Sequence, residues 1–213
     1  MATGSYRNGR WCRFEYRLKT PLQEQDIRRL KVYDTIYLTG VIYNLPDQPA
    51  YARLLDLQAK GQSPIDLTNS ATMHAPTCAS KIGGKWVLAY AGVTTSWRLR
   101  KIIPDFIKQF KVRAIIGKGG LDEASHKAMQ ECGCVYLAQV GGCAALYSTM
   151  VKEIIDVIWT GRMPESIYIF RVEEYGPLIV GMDTYGNNIY SEVERNAAER
   201  QKDIYKRLGL SDH

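Results

Sequence analysis

The sequence predicts an α/β fold in which a mostly parallel sheet is joined by crossover helices. Short runs rich in β-branched and aromatic residues alternate with segments of helical character, and three of the predicted strands end at glycine. Such alternation is typical of a parallel sheet, because a parallel pair of strands needs a crossover connection. With no internal repeat or low-complexity linker, one domain is expected over 21–208. Residues 1–20 are predicted to be an N-terminal extension, a disordered lead or a tag remnant.

The N-terminal part begins this alternation. A short helix is predicted over 21–29. Residues 34–43, where β-branched and aromatic residues are frequent, are predicted to form a strand with a break at Gly40, or two short strands. Asp47 is suited to cap the following helix, predicted over 49–59, because its carboxylate can accept a free backbone N–H of the first turn.

The central part is predicted to supply three strands, each followed by a helix. The first strand, over 85–91, precedes a helix from Thr94 or Thr95 to Phe110 with a kink or break at Pro104. The second, over 112–116, precedes a helix from Asp122 to Glu131. The third, over 134–140, precedes a short helix from Gly141 to Met150. Two adjacent strands then follow, over 166–172 and 178–182, with a turn around 175–177 between them. A charged helix over 189–208 ends the predicted domain.

Composition argues against several classes of protein. Apolar residues make up 46% of the 213-residue chain, which suits a globular core. No run approaches the ~20 apolar residues of a membrane span, and the first residues lack the apolar core of a signal peptide. The five cysteines include no Cys-x-x-Cys pair, which favours reduced thiols over a metal centre and suggests a cytoplasmic location.

The net charge is +6; Arg7, Arg10, Arg13, Arg17 and Lys19 crowd the N-terminus, and the other basic residues are mixed with acidic ones. No basic stripe interleaved with aromatic residues is present, so nucleic acid is not expected as a partner. A small anionic substrate or an acidic partner subunit explains the basic excess equally well.

Two short segments carry the candidate chemistry. Gly92–Arg98 (Gly-Val-Thr-Thr-Ser-Trp-Arg) places the Thr94 hydroxyl and the Arg98 guanidinium four residues apart, at the start of a predicted helix. Gly117–Gly120 (Gly-Lys-Gly-Gly) places the Lys118 ammonium in a turn after an apolar strand. Ligands of open α/β sheets gather at the carboxyl ends of strands, so we expect both segments to face one site for a carboxylate-bearing substrate. The glycines would let backbone N–H groups approach that ligand.

Each of these features also has a purely structural interpretation. Thr94 or Thr95 would serve as an ordinary helix cap, and Arg98 would lie on a solvated helix face. The Gly117–Gly120 turn is not a Walker A loop, because the Gly-x-x-x-x-Gly-Lys-Ser/Thr spacing is absent. Cys143, after Gly141-Gly142, is a weaker candidate for a nucleophile. The three histidines, His74, His126 and His213, lie in unrelated sequence contexts and supply it no evident partner.

The ordered motifs resemble one enzyme family. The first three motifs of the series are Gly92–Arg98, Gly117–Gly120 and Gly141–Ala145. They are followed by Trp-Thr-x-x-Met-Pro-Glu-Ser over 159–166, and then by the long run from Arg171 to Asn188. In this order they are similar to the β subunit of L(+)-tartrate dehydratases and the C-terminal domain of class I, iron–sulfur-dependent fumarases. The resemblance extends over roughly residues 20–205.

The resemblance implies a swivelling β/β/α domain with a C-terminal helix, acting as the β subunit of a hydro-lyase. A separate α subunit would carry the [4Fe–4S] cluster, so this chain would bind no metal itself. Thr94 would correspond to the base, and Arg98 and Lys118 would hold substrate carboxylates, with Gly117 and Gly119 beside them. The substrate would be a small hydroxy acid such as tartrate or malate, and the assembly a heterodimer or heterotetramer.

One motif departs from the family pattern. The family shows Thr-Gly-x-x-x-x-x-Arg-Asp-x-x-His after the first strand, whereas here Pro46 replaces the arginine, and Ala50 or Tyr51 replaces the histidine. The loss of a buried guanidinium would remove about 2–5 kcal/mol of binding free energy. This departure leaves two rival hypotheses: a non-catalytic stabilising or regulatory subunit of the same ancestry, and a free-standing anion-binding protein.

Overall fold

The structure, a computed structural model, describes residues 14–162 and 164–209. These residues contain a seven-stranded sheet that closes into a barrel. The strands are β1 (Glu15–Lys19), β2 (Thr35–Asn44), β3 (Ala71–Met73), β4 (Thr77–Ile82), β5 (Lys85–Ala91), β6 (Ala114–Gly117), β7 (Val135–Ala138), β8 (Val151–Ile158) and β9 (Ile167–Met182). The helices are α1 (Glu24–Arg28), α2 (Gln48–Ala59), α3 (Ile103–Phe110), α4 (Glu123–Cys132), α5 (Ala144–Ser148) and α6 (Ile189–Leu208).

The parallel part of the sheet agrees with the predicted α/β class. β1, β2, β3, β6 and β7 are parallel neighbours in that order. The cap expected at Asp47 is confirmed, because its Oδ1 accepts the Gln48 N–H of α2 at 2.8 Å. Asp122 caps α4 in the same manner, accepting the Ser125 N–H at 3.0 Å. The capping carboxylates therefore mark the beginnings of both helices correctly.

The prediction of two strands around a turn at 175–177 is wrong, because β9 is continuous from Ile167 to Met182. β9 runs antiparallel to β2 over most of its length, with Tyr175 opposite Leu38 and Leu178 opposite Ile36. It also pairs with β7 and β8. The β2–β9 pairing closes a ring through β3, β6 and β7. Gly176 and Pro177 lie at a register irregularity between the Leu38–Tyr175 and Ile36–Leu178 pairs. There the Gly176 N–H donates to Met150 Sδ, and the Pro177 carbonyl accepts from the Tyr147 hydroxyl.

The helix predicted from Thr94 or Thr95 to Phe110, with a kink or break at Pro104, is interrupted before the proline rather than at it. A 3₁₀ turn covers Ser96–Leu99, and α3 begins separately at Ile103. Pro104 lies in the first turn of α3, where a missing N–H breaks no helical hydrogen bond, so it helps to begin the helix. The strand over 85–91 exists as β5, but it pairs with β4 in a separate antiparallel hairpin.

Two apolar clusters enclose the sheet from both faces. Alternate residues of β6 divide between them: Ala114 and Ile116 join one cluster, and Ile115 joins the other, where α2, α3 and α4 pack. Full burial of each such aliphatic side chain stabilises the fold by about 1.5–3 kcal/mol. The sheet is thus fixed as a rigid frame for the turns at its strand ends.

β1 is the first element of the described chain, and α6 is the last. Glu15–Lys19 of the predicted extension forms β1, paired in parallel with β2, whereas residues 1–13 lie outside the described part. At the other end, α6 confirms the predicted C-terminal helix and is exposed along most of its length. Among the described helices, none combines the length and the apolar character needed to cross a bilayer.

Candidate active site

Three glycine-containing turns meet at one end of the barrel. Thr95, after β5, forms a parallel bridge with Lys118, after β6. The Ser96 N–H donates to the Lys118 carbonyl at 2.8 Å. The third turn follows β7, where a Cβ built on Gly141 would lie 3.5 Å from Lys118 Cδ. The structure therefore brings together the segments that carry Thr94, Lys118 and Gly141.

Thr94 and Arg98 are in direct contact. An Arg98 N–H donates to Thr94 Oγ1 at 2.5 Å, and the same nitrogen is 3.1 Å from Asp47 Oδ2. Asp47 thus has two functions, as the cap of α2 and as an anchor for Arg98. A guanidinium that donates to a hydroxyl oxygen favours the deprotonated form of that hydroxyl. This contact is the arrangement that a threonine would need in order to act as a base.

The turn that carries Lys118 requires glycine for two different reasons. Gly119 and Gly120 have φ angles of +79° and +73°, in the left-handed region that favours glycine. Gly117 needs space instead, since a Cβ there would overlap Ser96 Oγ and His74 Nε2 and lie 3.0 Å from the Tyr136 hydroxyl. None of the ion pairs within the described ranges involves Lys118, so its ammonium is not neutralised by a carboxylate there.

A buried polar chain lies beneath this turn, and its centre is His74, which the sequence placed in an unrelated context. The Tyr51 hydroxyl is 3.2 Å from His74 Nδ1, and Ser96 Oγ is 2.5 Å from His74 Nε2. Ser96 Oγ also lies 2.7 Å from the Tyr136 hydroxyl. His74 lies immediately after β3, where side chains at the carboxyl ends of strands converge, but no sequence pattern predicted this three-residue strand.

His74 is fully buried and stays neutral. Burial, and secondarily the Arg98 guanidinium, lower the pKa of its imidazole from 6.5 to about 3. A neutral imidazole offers one N–H donor and one acceptor nitrogen, which suits its two hydroxyl neighbours.

This depressed pKa predicts a pH dependence of stability. The unfolded chain protonates His74 near pH 6.5 but the folded chain only near pH 3. The free energy of unfolding should therefore fall as pH drops through this window, with His74 contributing about 1.4 kcal/mol per pH unit. Urea unfolding at pH 7, 6 and 5 measures the slope, and His74→Gln should have a slope lower by that amount. Equal slopes in the two proteins would contradict a neutral, buried His74.

The cysteines within the described ranges show no second reactive centre. No hydrogen bond among the described side chains joins Cys143 to a histidine, and burial raises the pKa of the Cys134 thiol. Within residues 14–162 and 164–209, no three Cys, His, Asp or Glu side chains are grouped to hold a metal ion. The Cys, His, Asp and Glu side chains of the described ranges are therefore not arranged to hold an iron–sulfur cluster.

A cavity of about 570 Å³ lies apart from the three turns. Lys31, Glu123 and Arg195 contribute mixed charges to its wall, His126 also lines it, and no residue of Gly92–Arg98 does. The Thr94–Lys118 region is instead an open face, with Thr95 and Arg98 exposed. An open face bearing two cations is consistent with a site that a second surface must complete.

Comparisons with known proteins agree with the motifs. The family model described as "Fumarase C-terminus" matches residues 10–193. The L(+)-tartrate dehydratase β subunit of Escherichia coli K12 is 38% identical over 90% of this chain and 94% of its own length. A Methanocaldococcus jannaschii protein provisionally given the same name is 38% identical over 86% of this chain and 95% of its own. A Geobacillus stearothermophilus protein provisionally named a class I fumarate hydratase is 33% identical over 86% of this chain and 35% of its own. The resemblance inferred from the motifs is confirmed.

Proposed function

Because this chain belongs to the fumarase C-terminus family, we propose that it is the β subunit of an iron–sulfur-dependent hydro-lyase. It would reversibly dehydrate a small hydroxy acid such as tartrate or malate, as a swivelling β/β/α domain in a heterodimer or heterotetramer. The observation that supports this proposal best is the 2.5 Å contact between Arg98 and Thr94 Oγ1, beside the Lys118 turn. It places a candidate base and two cations on one face, as a carboxylate-bearing substrate requires.

In this proposal Thr94 reacts as its alkoxide, which the Arg98 N–H stabilises once the hydroxyl proton of Thr94 has been lost to solvent. Thr94 Oγ1 takes the proton from the carbon next to a substrate carboxylate and becomes a hydroxyl. Negative charge then builds on that carboxylate, and the Lys118 ammonium, with the backbone N–H groups of Gly117 and Gly119, stabilises it. Arg98 also attracts the anionic substrate. These groups lie on adjacent turns of a rigid sheet, so little reorganisation is needed during the reaction.

The hydroxyl that leaves needs an electrophile that this chain does not supply from its described residues. A [4Fe–4S] cluster held by a partner α subunit would provide that Lewis-acid chemistry. The role of this chain is then to bring Thr94 and Lys118 to the partner's face and to exclude water there. Both subunits would be needed for turnover.

The environment of Pro46 bears on the choice of substrate. Pro46 is buried just before α2, and Tyr51, near the position of the family histidine, is directed into the protein toward His74. The guanidinium of the family pattern is thus replaced by an apolar ring. This favours a substrate held by fewer cations, and it also gives weight to the alternative of a non-catalytic stabilising or regulatory subunit.

Reconstitution decides between these alternatives. The full chain should be colourless and inactive when purified alone. With its cluster-bearing α subunit it should form a stable complex that converts tartrate, malate or fumarate under anaerobic conditions. A complex that forms but converts none of these acids would support the non-catalytic alternative. An active, stoichiometric cluster on the isolated chain would contradict the two-subunit proposal.

Lys118→Met tests the cation of the glycine turn. The substitution keeps the length of the side chain and removes its charge, so kcat/KM of the complex should fall on the order of 100-fold. Lys127→Met is the matched control, because Lys127 is exposed on α4. Steady-state kinetics on both complexes would contradict the assignment if the two variants were equally active.

A further inference from the structure

The buried chain of polar side chains beneath the Lys118 turn is continuous. His74 Nδ1 lies 3.2 Å from the Tyr51 hydroxyl, and His74 Nε2 lies 2.5 Å from Ser96 Oγ, which in turn lies 2.7 Å from the Tyr136 hydroxyl. In the tautomer that carries its proton on Nε2, the neutral imidazole accepts from Tyr51 and donates to Ser96, and the Ser96 hydroxyl hydrogen has Tyr136 as its acceptor. The hydroxyls of Tyr51 and Ser96 are then satisfied, as a buried polar chain requires.

The same residues hold the backbone on both sides of the candidate site. The His74 carbonyl accepts the Thr94 N–H at 2.9 Å, and the Ser96 N–H donates to the Lys118 carbonyl at 2.8 Å. A Cβ built on Gly117 of the same turn would lie 3.0 Å from the Tyr136 hydroxyl. The polar chain therefore touches the Thr94 segment at one end and the glycine turn at the other.

We propose that His74 is a positioning residue: through Ser96 and Tyr136 it fixes the Lys118 turn relative to the Thr94 hydroxyl. This inference rests on the proposed function, since it assigns His74 to the same site. Gly117 packs directly on His74 Nε2 and Ser96 Oγ, so a displacement of either atom moves the turn. His74 itself is fully buried and lies behind the backbone, so it does not contact substrate.

The test compares two substitutions of His74 in the reconstituted complex. His74→Phe keeps the ring but removes both hydrogen bonds, and it should lower kcat by about 10- to 100-fold with KM nearly unchanged, because a small misplacement is costly at the chemical step. His74→Gln places an amide near the position of Nε2 and should restore kcat to within about fivefold of the unmodified complex.

His126 supplies the matched control. It is also buried, and its Nε2 bonds to the Asp183 carbonyl, outside the polar chain. His126→Phe and His126→Gln should lower the melting temperature without the split between kcat and KM. If His74→Phe kept the unmodified kcat, or if His126→Phe lowered kcat as much at equal loss of stability, His74 would be only a structural residue.

A second measurement does not depend on activity. Amide ¹H–¹⁵N resonances of Lys118, Gly119 and Gly120 in the full-length chain should shift strongly in His74→Phe and weakly in His74→Gln. Unshifted turn resonances in His74→Phe would overturn the proposal. If the unmodified complex converted no hydroxy acid, the proposed function would fail, and these resonances alone would still decide whether His74 holds the turn.

Discussion

Replacing Thr94 with alanine is expected to lower kcat of the reconstituted complex by about 10²–10⁴-fold, the range attributed to general acid–base groups, with little change in KM. In the proposed mechanism the Thr94 hydroxyl acts on the chemical step rather than on substrate binding, so the ground-state complex should form normally. Thr94→Ser keeps the oxygen that accepts from Arg98 and should retain much of the rate. Steady-state kinetics on both variants measures the difference.

Stability should change little in Thr94→Ala. The N–H of residue 94 still donates to the His74 carbonyl, and one partly exposed hydrogen bond is worth about 1 kcal/mol or less. Thr95→Ala is the control, because Thr95 is exposed and pairs with Lys118 through its backbone. If Thr95→Ala lost the larger share of kcat, the base would be the second threonine of the motif, and an unmodified rate in Thr94→Ala would place the base outside this segment.

Gly117→Ala is expected to reduce the free energy of unfolding by about 3 kcal/mol, the upper range for one methyl group forced into a packed interior. The new Cβ would overlap Ser96 Oγ and His74 Nε2, and neither atom can withdraw without breaking the buried chain. Urea unfolding at pH 7 measures this loss, and the complex should lose activity as the Lys118 turn shifts.

Gly141→Ala is the comparison for that experiment. Its Cβ would meet Lys118 Cδ at 3.5 Å, an ordinary contact with a flexible side chain. The free energy of unfolding should then change by no more than about 1 kcal/mol. Equal stability losses in the two variants would show that the space at Gly117 is not the limiting feature.

Local sequence patterns predicted local structure well. Asp47 and Asp122 marked the starts of α2 and α4, because a cap depends only on residues within one helical turn. The closing of the barrel was missed, because the β2–β9 pairing joins residues more than 120 positions apart. A glycine-proline pair inside β9 indicated a turn, and only the neighbouring strands make it part of a sheet.

In the candidate site, too, residues within short motifs were predicted, and a residue that acts through distant contacts was missed. Thr94, Arg98 and Lys118 were selected from residue chemistry and spacing within short segments, and their roles remain predictions. His74 was overlooked, because its importance lies in contacts with Tyr51 and Ser96, each more than 20 residues away. A buried histidine that serves other residues has no motif of its own in the sequence.

Closure of the barrel by β9 has a consequence for the order of events during synthesis. β9 is the last described strand, and it bonds to β2, β7 and β8. The ring therefore cannot be completed until residue 182 has left the ribosome, although the turns at 92–98, 117–120 and 141–142 emerge much earlier. Contacts of such long sequence separation slow folding. A nascent chain thus exposes these three turns before their frame is rigid. If an α subunit docks on this face, as proposed, docking must wait until β9 has closed the barrel.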